Sequence, residues 1–207
     1  MLAIQGDFEA HFRVLERAGA RGLPVRREKD LDGLAGLILP GGESTTIAKG
    51  LDRLGLYAPI EAFARSGRPI FGTCAGAVLL ARSVENHPVR SFDLIAAVAV
   101  RNAYGTQVDS FAAPAEDGPF AGLRCVFIRA PRLRDLGPEV EVLARVDGWP
   151  VLVRQGNVFA ATFHPELVDD PRVHAHCLGL MADAVAMADA VAMADAVAMA
   201  DTAAPSD

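Results

Sequence analysis

Short apolar runs alternate with amphipathic segments along the first part of the chain. The runs at residues 2–5, 36–39 and 69–71 predict strands, and residues 24–27 predict an edge strand. Between these runs, apolar residues recur at helical spacing. Strands that alternate with helices are typical of layered α/β folds. The pattern therefore predicts an α/β domain.

Three helices are predicted between these strands. The first is capped by Asp7, ends at Gly19 and has an apolar face formed by Phe8, Phe12, Leu15 and Ala18. Ser44 can cap a second helix that reaches about Leu54. A third helix covers residues 58–66 and precedes the apolar run at 69–71.

Strands dominate the second half of the chain. The apolar segments that predict them cover residues 92–108, 124–130, 141–146, 151–155 and 158–163. After them, Asp169-Asp170-Pro171 opens a last helix, since proline is favoured in the first turn of a helix. The chain thus returns to a helix before it reaches its repetitive tail.

Within the tail over residues 181–207, the unit Met-Ala-Asp-Ala-Val-Ala begins at Met181 and recurs from Met187, from Met193 and in part from Met199. This alanine-rich composition favours a helix. Six residues advance a helix by about 600°, so successive Met and Val positions fall on different faces and form no continuous apolar stripe. A coiled coil is disfavoured because the period is not seven. We expect one domain over residues 1–180 and a tail over 181–207 that extends the last helix into solvent or is disordered.

The composition limits the classes of function. A chain of 207 residues can bury a large core in one domain. The formal net charge is −6, but without the five acidic residues of the tail 21 acidic residues face 20 basic ones. With this balance the chain lacks the excess of basic residues that is typical of nucleic-acid-binding proteins. No apolar stretch reaches the ~20 residues that span a bilayer, so no membrane segment is expected.

The cysteines indicate a reducing compartment. The chain has three, an odd number, without a Cys-x-x-Cys pair, which argues against a disulfide framework. Cys125 and Cys177 lie in apolar contexts and are predicted to be small core residues. The apolar part of the N-terminus is too short for a signal peptide. We therefore expect a cytoplasmic protein.

Gly72-Thr73-Cys74-Ala75-Gly76 is the segment with the strongest chemical signal. Small residues two positions before and after a cysteine, between a strand and a helix, are typical of a nucleophile elbow. The glycines let backbone approach backbone closely in such a tight turn. At the start of a helix, the helix dipole and free N–H groups favour the thiolate. Cys74 is therefore a candidate nucleophile.

A nucleophilic cysteine requires a base, and the base requires a group that orients it. His164 follows the strand predicted over residues 158–163, and Pro165 separates it from Glu166. A carboxylate two residues away can hold one ring nitrogen while the other faces Cys74. A surface histidine in a turn is the alternative, but the upstream elbow favours the catalytic role.

The other histidines are not predicted to take part in chemistry. His174 and His176 lie near Cys177, but residues i and i+2 point to different faces of a helix, so no metal site is predicted. Both are expected on the helix surface. His11 on the first helix and His87 in a polar loop are expected to be structural or exposed.

Two further segments suit an amide substrate that carries a carboxylate. Gly42 follows a strand, and its N–H could form an oxyanion hole with the N–H of Ala75. An ordinary turn is the alternative, whereas a phosphate loop is disfavoured because no Gly-Lys-Ser/Thr follows. Arg101 and Arg129 each end a predicted strand and could bind a carboxylate. Surface ion pairs of these arginines are an equal alternative.

Together these segments resemble the class I triad glutamine amidotransferases, and more narrowly the glutaminase subunits of pyridoxal 5'-phosphate synthase. The resemblance runs in order over residues 2–180 and is carried by Leu2–Asp7 with His11, Leu39–Thr46, Gly72–Gly76, Arg101–Gly105 with Gln107–Phe111, Phe127–Pro131 and Phe163–Glu166. The chain departs from the family at its short first strand, at Ala112, where glutamate is usual, and in its repetitive tail.

The resemblance implies a three-layer αβα, flavodoxin-like domain that hydrolyses L-glutamine to L-glutamate and ammonia with neither cofactor nor metal. It implies a catalytic triad of Cys74, His164 and Glu166, with Gly42 and Ala75 in the oxyanion hole. The positions that match the family's glutamine-binding residues are Gly42, Glu43, Ser44, Arg101, Ile128 and Arg129.

The resemblance also implies a partner. Ammonia would pass to a (β/α)8-barrel synthase subunit in a hetero-oligomer that builds pyridoxal 5'-phosphate. A triad glutaminase of another biosynthetic pathway and a cysteine peptidase-like relative are the alternatives. Many such peptidases place a histidine directly after the nucleophile, where this chain has Ala75. A non-catalytic binding module would be expected to lack a member of the triad, and none is missing.

Overall fold

The computed structural model describes residues 1–103 and 110–202, with side chains as far as Met187. Within these residues the α-helices are α1 (Phe8–Arg17), α2 (Ser44–Leu54), α3 (Tyr57–Arg65), α4 (Ala75–Leu80) and α5 (Arg172–Thr202). The strands are β1 (Leu37–Leu39), β2 (Ile70–Thr73), β3 (Ala81–Glu85), β4 (Ile95–Val100), β5 (Phe111–Pro114), β6 (Arg124–Phe127), β7 (Arg132–Arg134), β8 (Glu141–Val146), β9 (Trp149–Gln155) and β10 (Val158–Ala161).

Five of these strands form the central sheet, in the order β1-β2-β10-β9-β8. Strand β2 pairs in parallel with β1 on one side and with β10 on the other. Strand β9 pairs antiparallel with both β10 and β8. All four residues of β2 and all four of β10 are buried, as expected for strands that are covered on both faces. The α/β class predicted from the sequence is confirmed.

A single β-bridge takes the place of the two strands that were predicted nearest the N-terminus. Leu2 pairs in parallel with Val25, and its N–H donates to the carbonyl of Ile38 at 2.9 Å. The segment around Leu2 therefore lies between Val25 and β1. The predicted strands over residues 2–5 and 24–27 were too long.

Helix α1 buries most of the predicted face and three further residues beside it. Leu15 is buried, and the half-buried Phe8 and Phe12 pack against the core as predicted, whereas Ala18 is exposed and follows the end of the helix. The other buried residues are Ala10, His11 and Val14. The prediction counted only apolar residues and therefore missed the buried polar side chain of His11.

Helix α2 is capped by Glu43 instead of Ser44. The Glu43 carboxylate accepts a hydrogen bond from the backbone N–H of Thr46 at 2.6 Å. Ser44 is the first helical residue and is buried. The glutamate side chain is long enough to reach back over the first turn, so the prediction that placed the cap one residue later was wrong.

The middle of the chain adds two small sheets, with the orders β3-β4-β7 and β5-β6. Helix α4 ends at Leu80, and the chain enters β3 directly at Ala81. The strand predicted over residues 92–108 is observed as Ile95–Val100, and its part at 104–109 lies outside the described residues.

Helix α5 runs without a break from Arg172 into the repeat. Met181 is buried, and its side chain covers Gly36 so closely that a Cβ there would lie 2.5 Å from the Met181 Cε. The first residue of the repeat therefore belongs to the core, contrary to the expectation that no part of the tail docks. No helix in the described part of the chain is long and apolar enough to cross a membrane.

The histidines of α5 also differ from the prediction. His174 is fully buried, and the half-buried His176 packs edge-on against Phe120 and Phe159. Both were expected on the helix surface. They lie inside because this face of α5 packs against the central sheet, together with Cys177, which is buried as predicted.

The short helix α4 packs directly against the central sheet because glycines, which have no side chain, lie at the contact between the helix and the strands. A Cβ at Gly76 would lie 2.0 Å from the carbonyl oxygen of Leu39, and one at Gly72 would lie 2.6 Å from the carbonyl carbon of Gly76. Such distances leave no room for alanine. The two glycines therefore determine how closely α4 approaches β1 and β2.

Gly76→Ala is expected to lower the free energy of unfolding by about 1–3 kcal/mol, because the added methyl overlaps the backbone of β1. Urea unfolding followed by circular dichroism measures the change. Gly179→Ala is the matched control on an open helix surface, with no atom near the added methyl. It should stabilise the protein by up to about 1 kcal/mol. Equal stability of the two variants would contradict this packing.

Candidate active site

Cys74 lies in a strained turn between β2 and α4. Its φ of 47° and ψ of −101° place it in a region that non-glycine residues rarely adopt. The backbone N–H of Cys74 donates to the carbonyl of Ala161 at the end of β10, at 2.8 Å. This hydrogen bond to the neighbouring strand helps to hold the cysteine in its strained conformation.

His164 follows β10, the strand beside β2, and so lies next to Cys74. Its N–H donates to the carbonyl of Val126 at 2.8 Å. Its Nδ1 lies 2.6 Å from Oε1 of Glu166, which belongs to the single 3₁₀ turn Pro165–Leu167. The carboxylate thus engages one ring nitrogen and leaves the other for the cysteine sulfur.

The electrostatics of this group favour a charged imidazole. Burial opposes a charge on His164, but its hydrogen bonds with Cys74 and Glu166 outweigh burial and raise its pKa to about 10. The Glu166 side chain is completely buried, and a buried carboxylate requires such a partner. The arrangement therefore favours the imidazolium form of His164 at neutral pH.

The turn after β1 closes over this pair. A Cβ at Gly41 would lie 2.5 Å from Cε1 of His164 and 3.4 Å from Cβ of Cys74. The next residue, Gly42, has a φ of 152°, which favours glycine. The turns that follow β1, β2 and β10 thus meet at the carboxyl end of the parallel strands, where open α/β sheets place their sites.

A cavity of about 270 Å³ opens at this point. Every residue that the sequence analysis named for the site lines it, apart from Glu166, which lies behind His164. The lining residues are Gln5, Gly42, Glu43, Ser44, Cys74, Ala75, Val78, Arg101, Asn102, Ile128, Arg129, Pro131 and His164. The structure therefore brings the predicted residues together.

Glu43 and Arg101 form an ion pair across the wall of the cavity. Arg101 Nη2 lies 2.9 Å from Glu43 Oε1, and its Nη1 donates to Thr45 Oγ1 and to the carbonyl of His87. Burial opposes a charge on Glu43, but hydrogen bonds from Thr46 and Thr45 outweigh burial and lower its pKa to about 2. The cavity wall thus offers a permanently charged carboxylate beside a guanidinium group.

The opposite wall is formed by the turn after β6. The Cys74 sulfur lies 3.9 Å from the carbonyl oxygen of Ile128. Arg129 has a φ of 46° and is exposed to solvent. Among the described residues no carboxylate lies within ion-pair distance of Arg129. This arginine is therefore available to an anionic ligand.

The sequence analysis did not assign Gln5 to the site. Its Oε1 accepts a hydrogen bond from the backbone N–H of Glu43 at 2.8 Å, and its side chain lines the cavity. The next residue, Gly6, has no room for a side chain, because a Cβ would lie 1.8 Å from the carbonyl oxygen of Gly41. The sequence signal that could have identified Gln5 is a polar residue at the end of an apolar run, directly before a glycine.

A cysteine on a strained strand-to-helix turn, with a histidine–carboxylate pair on the adjacent strand, is typical of α/β cysteine hydrolases. Comparison with known families identifies the chain more specifically than this broad class of hydrolases. The chain matches the model of the SNO glutamine amidotransferase family over residues 1–181, and it belongs to that family.

Curated relatives and a solved structure agree with this family. The chain is 44% identical over 181 residues to the pyridoxal 5'-phosphate synthase subunit PdxT of Fervidobacterium nodosum, with 87% of this chain and 95% of the relative covered. It is 49% identical over 185 residues to the subunit of the same name from Thermus thermophilus, with 87% and 95% covered. A crystal structure of a glutamine amidotransferase superposes with a TM-score of 0.83 at 45% identity, covering 87% and 97%.

A more distant structure shares the fold alone. The structure of PurLQS from Thermotoga maritima matches with a TM-score of 0.59 at 17% identity, and the match covers 89% of this chain and 94% of that one. At this identity the likeness shows only that both chains have the same architecture. The assignment of the fold to the class I glutamine amidotransferases rests on the solved structure at 45% identity.

His164 is expected to stay protonated up to about pH 10, because Cys74 and Glu166 stabilise its charged form. NMR titration of histidine-labelled protein measures this. Glu166→Gln should move the titration to lower pH, since the amide carries no charge. Glu116→Gln, which changes an exposed carboxylate, is the control and should leave it unchanged. A titration near the ordinary value of about 6.5 in the wild type would contradict the pairing.

Proposed function

We propose that this protein hydrolyses L-glutamine to L-glutamate and ammonia through a triad of Cys74, His164 and Glu166. The ammonia supplies a pyridoxal 5'-phosphate synthase subunit for the synthesis of vitamin B6. Membership of the SNO glutamine amidotransferase family supports the reaction. The printed name of the relatives, pyridoxal 5'-phosphate synthase subunit PdxT, supports the pathway.

The observation that carries the proposal is the arrangement of the three side chains around the cavity. The Cys74 sulfur is held in a strained turn at the cavity wall, and His164 interacts with both Cys74 and Glu166. The 2.6 Å contact between His164 Nδ1 and Glu166 Oε1 fixes the orientation of the ring. This arrangement supplies a nucleophile, an acid–base group and an orienting group in one place.

In the first step the Cys74 thiolate attacks the side-chain amide carbon of glutamine. The carbonyl electrons move to the oxygen, and the C–N bond then breaks as these electrons return. His164 gives its proton to the departing nitrogen, which leaves as ammonia. A γ-glutamyl thioester on Cys74 and a neutral imidazole remain.

In the second step water hydrolyses the thioester. His164 takes a proton from the water as its oxygen attacks the carbonyl carbon. The C–S bond breaks, glutamate leaves, and the thiolate and the imidazolium are restored. Glu166 stabilises the imidazolium in both resting and product states without itself being protonated.

The negative oxygen that develops in both steps needs donors. We assign this role to the backbone N–H groups of Gly42 and Ala75, which belong to two of the turns that line the cavity. Gly42 has a backbone conformation that favours glycine, so its peptide can adopt the orientation that the oxyanion needs.

The rest of the cavity suits the two charged groups of glutamine. Glu43, ionised at neutral pH, is matched to the amino group, and Arg101 and Arg129 are matched to the α-carboxylate. Ser44 and Ile128 complete the binding site, with backbone and side-chain polar atoms beside the substrate. A substrate with a charge of each sign at one end and an amide at the other fits this distribution.

The proposed partner is a (β/α)8-barrel synthase subunit that receives the ammonia within a hetero-oligomer. Ammonia is lost to water and to protonation unless the site that consumes it is close. We assign catalysis to the domain over residues 1–180 and no catalytic role to the tail over 181–207. We also infer a cytoplasmic location, which the three unpaired cysteines support.

Cys74→Ala is expected to abolish glutamate release in the complex with the synthase subunit, with a loss of about 10⁴-fold or more. Glutamate formed from glutamine is measured by an enzyme-coupled assay. Cys177→Ala, which removes a buried thiol on α5 outside the cavity, is the control and should keep the wild-type rate. Glutaminase activity retained by Cys74→Ala, or absent from the wild-type complex, would overturn the proposal.

Arg129→Met is expected to raise the KM for glutamine about ten- to a hundredfold and to change kcat much less, because the arginine binds a carboxylate that does not react. Steady-state kinetics of the complex separate the two effects. Arg124→Met, an exposed arginine of β6 outside the cavity, is the matched control. A fall in kcat at unchanged KM would argue against this role for Arg129.

A further inference from the structure

A group of buried polar side chains lies behind the proposed triad. His11, Thr73 and His174 are all completely buried, although they come from α1, β2 and α5. His11 Nδ1 lies 3.0 Å from His174 Nε2, and His11 Nε2 lies 3.2 Å from Thr73 Oγ1. The same Nε2 lies 3.4 Å from Oε2 of Glu166. These contacts connect α5 to the triad through His11.

The charge of Glu166 determines which histidine nitrogens carry protons. A lone pair of His11 Nε2 beside the carboxylate would be repelled, so Nε2 carries the hydrogen and donates it to Thr73 Oγ1, with Glu166 Oε2 3.4 Å from the same nitrogen. His11 Nδ1 is then an acceptor, and it receives the Nε2–H of His174. The Nδ1 of His174 is left as an acceptor, which fits its lack of a hydrogen bond among the described residues.

Both imidazoles remain neutral in this arrangement. Burial, followed by the neighbouring His174, holds the pKa of His11 well below its usual range. Burial, followed by Arg17, lowers the pKa of His174 to about 4. The groups that act on His11 and His174 by charge or hydrogen bond are His164, Glu166, Thr73, Arg17 and the N-terminal amine. Neutral imidazoles can therefore act only through the direction of their N–H groups.

Glu166 has two carboxylate oxygens and needs a partner for each. Oε1 is engaged by His164, whereas Oε2 makes no hydrogen bond of regular geometry among the described residues. His11 Nε2 lies 3.4 Å from this oxygen, close enough for a neutral N–H to stabilise its negative charge. An ionised carboxylate at full burial loses stability unless donors surround it.

We propose that His11 is a positioning residue of the active site, whose Nε2–H stabilises the second oxygen of Glu166 and keeps the first oxygen directed at His164. His174 maintains the tautomer of His11 that this requires. Thr73, the residue before the nucleophile, joins the same N–H to the strand that carries Cys74. This inference rests on the proposed function, since it gives a role to a residue that acts through the triad.

A purely structural role would not require this direction of hydrogen bonds. Apolar side chains of similar size would fill the same space without the cost of burying polar atoms. The positioning role instead predicts an effect on the protonation of His164. Without the His11 donor, Glu166 is less stable as a carboxylate, and the charged form of His164 is then less stable too.

The test compares three variants in the complex with the synthase subunit. His11→Leu removes the donor at similar size, His11→Gln keeps an N–H near the position of Nε2, and His176→Leu is the control on α5 outside the cluster. His11→Leu should lower kcat about tenfold or more with little change in KM. Its alkaline limb of kcat against pH should move to lower pH. His11→Gln should recover part of both effects, and His176→Leu should show neither.

If His11→Leu has the same pH profile of kcat as the wild type, the inference is overturned, whatever the size of kcat. A structural defect changes the amount of active protein and not the titration of His164. A His11→Gln variant no better than His11→Leu would also overturn it. If the wild-type complex releases no glutamate, the proposed function fails instead, so the two failures are distinguishable.

A measurement on the wild-type protein does not depend on activity or on the folding of variants. Two-bond nitrogen–hydrogen NMR correlations of histidine-labelled protein report which ring nitrogen carries the proton. We expect His11 to be the neutral Nε2–H tautomer across neutral pH. The Nδ1–H tautomer, or a charged ring, would overturn the inference even if the enzyme is active.

Discussion

The 2.6 Å contact between His164 and Glu166 is the interaction on which the rest of the site depends. A carboxylate with no exposed side-chain surface is stable only when it is paired, and an imidazolium is stable at this burial only beside an anion. The pair therefore holds the ring in one orientation with its second nitrogen toward Cys74. In the proposed mechanism, the imidazolium that gives its proton to the departing nitrogen is thereby already present in the resting protein.

Close backbone packing brings the members of this pair to the cysteine. Strands β1, β2 and β10 are parallel neighbours, so the turns that follow them meet at one edge of the sheet. Gly41, Gly72 and Gly76 lie where any side chain would overlap His164, the backbone of α4 or the backbone of β1. Loss of these glycines would separate the turns, so stability and chemistry depend on the same close contacts.

Much of the site could be predicted from local sequence, because its turns follow short apolar strands and each carries its own signal: glycines around Cys74, Pro165 between His164 and Glu166, and glycines before Glu43. Features that depend on distant packing could not. His174 was placed on the surface, but α5 packs against the central sheet and buries it. The burial of His11 on α1 was missed because the hydrogen bonds that satisfy its ring nitrogens come from β2 and α5, which no local pattern reveals.

Labelling with an electrophilic glutamine analogue, such as the diazoketone that replaces the amide, tests the central claim most directly. Peptide mass spectrometry locates the label, and the remaining glutaminase activity of the complex is measured in the same sample. We expect the label on Cys74 alone and a fall in activity in proportion to labelling. Full labelling of Cys74 with activity retained, or loss of activity with the label on Cys125 or Cys177, would contradict it.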